Sequence, residues 1–73
     1  MLTPDESRLL VSLRRAGGTL EERRLCSASN LSAAHLSRLL ADLEWRGLVV
    51  VLRAASGGLM ALITPRGQEL AAG

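Results

Sequence analysis

Along the chain, segments with an apolar residue every three or four positions alternate with short polar or glycine breaks, a helical period. Thr3-Pro4-Asp5-Glu6 opens the first segment: Thr3 can cap, Pro4 suits the first helical position, and Glu6 can close a capping box. Leu9, Leu10 and Leu13 form the stripe of that helix, Ala16 extends it, and Gly17-Gly18 ends it. Thr19-Leu20-Glu21-Glu22 reads as a second capping box, starting a short helix with Leu25 and Cys26 on its buried side. Asn30 is expected in the left-handed conformation at the end of that helix, and Ser32 is expected to cap a third.

In the third segment Leu36, Leu39, Leu40 and Leu43 share one face at spacings of 3, 4 and 7, and Gly47 stops the helix. The tight turn between the second and third helices implies a steep crossing, as in a helix-turn-helix. Leu48 to Leu52 is apolar and β-branched, hence a strand; Ser56-Gly57-Gly58 is a turn, and Leu59 to Ile63 returns. Thr64-Pro65 starts a short last helix reaching Ala71. A two-stranded hairpin alone is marginal, so Thr19-Leu20 is expected to add a third strand. Alternation puts Val49, Val51, Leu59, Ala61 and Ile63 on one sheet face and Leu48, Val50, Leu52, Met60 and Leu62 on the other. Both faces are apolar, so one should be covered, in part by the last helix or by a second subunit or another protein. The fold class is therefore mainly α with a small β-hairpin (α+β): three helices, a two- or three-stranded wing and a short C-terminal helix.

Composition narrows the function. The 73 residues, 1–73, read as a single domain, and the 48% hydrophobic content argues against disorder. All nine basic residues are Arg, for a net charge of +2, which suits phosphate contact. Trp45 is the one aromatic residue, so base stacking on aromatics is not expected. The single cysteine, Cys26, excludes an internal disulfide; it reads as core packing and fits a reducing, cytoplasmic setting. No apolar run approaches the roughly 18 residues of a membrane span, and no signal peptide is visible. His35 has no second ligand at metal spacing, and the sequence offers no nucleophile–base pair or phosphate-cradling loop. Glu6, Glu21 and Glu22 read as first-turn partners of helix dipoles rather than catalytic acids. No metal, cofactor or enzymatic activity is expected.

Leu25-Cys26 with Asn30-Leu31-Ser32, then Leu36-Ser37-Arg38-Leu39-Leu40, then Leu43-Glu44 with Arg46-Gly47-Leu48-Val49, resembles the winged helix-turn-helix domain of MarR-type and related small prokaryotic or phage transcription regulators. Ile63-Thr64-Pro65-Arg66-Gly67 is similar to the "LT..G" segment after the wing in that family. The resemblance implies a recognition helix over residues 32–46 that places Ser32, Ala33, Ala34, Ser37 and Arg38 in the DNA major groove. It also implies a wing tip at 53–58, with Arg53 near the minor groove or a phosphate. His35 would then be DNA-facing or plain surface. Arg23 and Arg24 lie on the helix that would cross the DNA backbone, where phosphate contact is open beside a solvated role. Arg38 has its own alternative, an i+4 pair with Asp42. The expected partner is double-stranded DNA, with a homodimer on a palindromic site or a protein partner also open. The competing function is a protein-interaction module without DNA binding, favoured by a wing whose one basic residue is Arg53. Trp45 falls in line with Ala34, Arg38 and Ala41 opposite the leucines, taking about 100° per residue. There it would cover its own domain or anchor a second subunit or partner.

Overall fold

The computed structural model describes residues 2–72. Helix α1 spans Pro4–Arg15, strand β1 Thr19–Glu21, helix α2 Glu22–Ser29, helix α3 Ala33–Trp45, strands β2 Val49–Arg53 and β3 Leu59–Ile63, and helix α4 Pro65–Ala72. The α+β winged-helix architecture is as the pattern implies. Local chemistry sets most boundaries. Thr3 and Glu6 form a reciprocal capping box on α1, and Ser32 Oγ accepts from the His35 backbone N–H at 3.2 Å at the start of α3. Asn30 holds the left-handed conformation at φ 59°, which turns the chain sharply between α2 and α3.

One start signal fails. Thr19 does not cap α2; residues 19–21 pair antiparallel with β3, and the helix begins at Glu22 without a side-chain cap. Antiparallel pairing with β3 claims the backbone groups of this segment, so the expected third strand forms in place of the cap. Strand order is β1-β3-β2, with Leu20 opposite Ala61 and Val51 opposite Ala61 on its other side. The inward face carries Val49, Leu59 and Ala61, all buried. The outward face differs from expectation twice. Leu48 is buried, because it precedes the strand and its backbone is held by Leu43 and Thr64. The last helix does not cover that face: α4 packs on α1, and Val50, Leu52 and Met60 remain 44%, 52% and 42% exposed.

The core is a leucine cluster drawn from every layer. Leu9, Leu10 and Leu13 of α1, Leu25 of α2, and Leu36, Leu40 and Leu43 of α3 close over Leu48, Val49, Leu59 and Ala61. Leu39, expected on the same face, packs at its margin.

The base of the hairpin is clasped by the last-helix segment. The Thr64 hydroxyl lies 2.7 Å from the Gly47 carbonyl and 3.0 Å from that of Leu48, and accepts from the Gly67 N–H at 3.0 Å. Gly67 is buried, and a Cβ there would overlap the Leu48 carbonyl oxygen. That gives a physical reason for a threonine and a glycine three residues apart after the wing.

Candidate nucleic-acid interface

Helix α3 presents four sides. Leu36, Leu40 and Leu43 are buried. One flank meets α1: His35 Nε2 is 3.7 Å from the Asp5 carboxylate, and Arg46, just past the helix end, bonds Asp42 at 2.5 Å and also the Glu6 carboxylate of α1. The other flank meets the wing: Glu44 accepts from the Val51 N–H at 3.0 Å, and Ala33 and Ser37 share that side by helical spacing. The fourth side is the outward line of Ala34, Arg38, Ala41 and Trp45, all exposed.

The Arg46 contacts are the electrostatic centre of the domain. The Glu6 side chain is 6% exposed and that of Arg46 32%. Burial alone would raise the Glu6 carboxyl, but the Thr3 backbone N–H and the Arg46 guanidinium outweigh it and bring its pKa from 4.5 down to about 2. Contacts with Glu6 and Asp42 push the Arg46 guanidinium above its usual value. The sequence pattern assigned Glu6 to the capping box and the helix dipole of α1, and gave Arg46 no role beyond the family-like segment. The spacing of Asp42 and Arg46 was the one available signal; the Glu6 contact spans 40 positions and left none.

The other residues singled out from the sequence fall on three sides of this centre. Asp42 is engaged with Arg46, so the i+4 alternative for Arg38 is not realised, and Arg38 forms no salt bridge among the described residues. Ser32, Ala33, Ala34 and Ser37 are exposed around it. His35 is also exposed but turned toward Asp5, on the α1 flank. On α2, Arg24 lies 3.8 Å from Glu21, and Arg23 lines a hollow with Glu22, Gly58 and Leu59 between that helix and the wing. Arg53 ends β2 beside the turn over residues 54–57, exposed and without an ion pair among the described residues. Trp45 is 88% exposed, which excludes its service as a cover for its own core.

A helix with small residues around one long, fixed-charge fork can approach a surface closely and still reach hydrogen-bond acceptors at depth. Among the described residues no cluster of three His, Cys, Asp or Glu could hold a metal ion, and no helix is long and apolar enough to cross a membrane.

No protein-family model and no curated protein sequence matches the chain. Solved structures do. A candidate DNA-binding protein from Ralstonia eutropha JMP134 superposes with a TM-score of 0.87 at 28% identity, over 99% of this chain and 95% of that one. AbsC, a MarR family transcriptional regulator from Streptomyces coelicolor, gives 0.85 at 28% identity over 97% of this chain and 50% of its own. A MarR family regulator from Silicibacter pomeroyi gives 0.85 at 25% identity over 97% and 48%. The chain spans about half the length of most of the regulators it matches and nearly all of the Ralstonia protein. With the helix order, the sheet order and the Thr64–Gly67 clasp, these likenesses make the chain a MarR-like winged helix-turn-helix domain.

Proposed function

We propose that the chain binds double-stranded DNA and regulates transcription, with α3 in the major groove. One observation carries this reading. Both acids of α3 are committed to its flanks, Asp42 to Arg46 and Glu44 to the Val51 N–H, which leaves the outward line acid-free around an unpaired Arg38. A groove lined by phosphates repels carboxylates and accepts an arginine fork, for which guanine O6 and N7 are the commonest base partners. In this reading Ser32, Ala33, Ala34, Ser37 and Arg38 face the bases, with His35 at the edge of that surface. Arg23, Arg24 and Arg53 meet phosphates from α2 and the wing. Phosphate contacts supply affinity, and the start of α3 supplies selectivity. A single module of this kind buries too little to be selective, so two copies on a palindromic site are proposed. The setting is cytoplasmic, and neither cofactor nor enzymatic step is involved.

A second reading rests on a separate observation. The open apolar face of Val50, Leu52 and Met60, together with the exposed Trp45, favours a protein-docking role on the same fold. Binding of a random-sequence duplex at two salt concentrations separates the two. With roughly 3–5 phosphate contacts per copy, log affinity should fall with log salt at about 0.9 per contact. A chain that retards no duplex at low salt overturns the DNA reading and leaves the docking one.

A further inference from the structure

Strand β2 is an edge of the sheet, paired with β3 on one side only. Its register sets which groups look outward. The Thr64 N–H donates to the Leu48 carbonyl, so 48, 50 and 52 direct their backbone groups toward β3, and 49, 51 and 53 direct theirs away. The segment Val49-Val50-Val51-Leu52-Arg53 is apolar, rich in β-branched residues and free of proline. Such an edge is a template for another strand. The obvious template match is itself. In an antiparallel β2–β2 pair across a two-fold axis, the midpoint of the five-residue strand falls on Val51, and the two Val51 residues would exchange both N–H···O=C bonds. The Val51 N–H is the group that Glu44 already holds, at 3.0 Å.

We propose that Glu44 locks this edge: by taking the Val51 N–H from α3, it prevents β2 from pairing with β2 of a second copy. The lock works twice. It occupies the donor that would close the central pair, and in a two-fold pair it would set two Glu44 carboxylates close to one axis. Removing the acceptor frees an outward-directed donor at the sheet edge for a second strand to take, giving a continuous six-stranded sheet through two molecules.

Sedimentation velocity over a wide concentration range tests this, with wild type as the baseline. Glu44→Ala should raise the weight-average mass above wild type, toward twice the monomer as concentration rises, and Val51 amide exchange should be fast when dilute and slow when concentrated. Glu44→Leu, a good helix former without an acceptor oxygen, is the second variant with the same expectation. Glu44→Gln keeps an acceptor and should follow wild type. Adding Val51→Pro to Glu44→Ala removes the donor and should return the mass to the wild-type curve. The proposal is overturned if the alanine and leucine variants track wild type at every concentration, or if Glu44→Gln associates as strongly as Glu44→Ala. Mass and exchange are read without DNA, so the outcome is independent of the DNA-binding reading.

Discussion

Arg38 and Arg46 belong to one helical segment, yet the fold treats them oppositely. Arg46 touches Asp42 and reaches across to Glu6 of α1, and its charge is consumed inside the molecule. Arg38 points outward with alanines on either side and no salt bridge among the described residues. The difference follows from what each side of α3 faces. A guanidinium beside a buried carboxylate is held by desolvated charge attraction, whereas one in water gains little from any neighbour. In so small a domain, one arginine fastens helices and the other is left exposed to solvent.

The comparison breaks first at Arg46. Arg46→Ala leaves Glu6 a buried carboxylate without its counter-charge and should cost about 3 kcal/mol in denaturant unfolding. A loss below about 0.5 kcal/mol would make the pair ordinary surface. Acid gives the same contrast without mutation. The folded Glu6 pKa lies below its usual 4.5, so its contribution is complete above that pH and is lost as pH falls toward about 2. The wild type should lose stability across that window, and Arg46→Ala should lose less. Next is Arg38→Ala, which should leave unfolding unchanged within about 0.5 kcal/mol and cost about 1–3 kcal/mol of DNA affinity if it reads a base, most on the preferred sequence. An equal loss on all sequences would make it a phosphate contact, measurable by titration of matched and mismatched duplexes. The smallest effect belongs to Trp45→Ala. At 88% exposure, its removal should shift stability by no more than about 0.5 kcal/mol, and its fluorescence in dilute protein should be red and solvent-like. Blue emission that reddens on dilution would instead identify a subunit contact.

What the sequence revealed was local. The capping box at Thr3–Glu6, the left-handed Asn30 and the Ser32 cap depend on residues within a few positions, and all three form. What it concealed depended on partners far along the chain. Thr19-Leu20-Glu21 has the letters of a helix start as well as of an added strand, and pairing with β3 decides for the strand. Asp42 has an arginine four residues away on each side, and spacing alone offers both. Glu6, brought beside Arg46 by the packing of α1, decides between them. The open sheet face was legible as apolar, but not as uncovered, because the path of α4 onto α1 is a tertiary fact.

The clasp at Thr64 has a consequence for the order of folding. Its hydroxyl contacts Gly47 and Leu48 across 17 and 16 positions, so it engages only after the whole hairpin has closed, whereas the capping box of α1 spans 3. It is thus expected to form after the rate-limiting step. Thr64→Val should speed unfolding while leaving refolding nearly untouched, a stopped-flow signature of a residue that governs how long the wing lasts rather than how fast it is built.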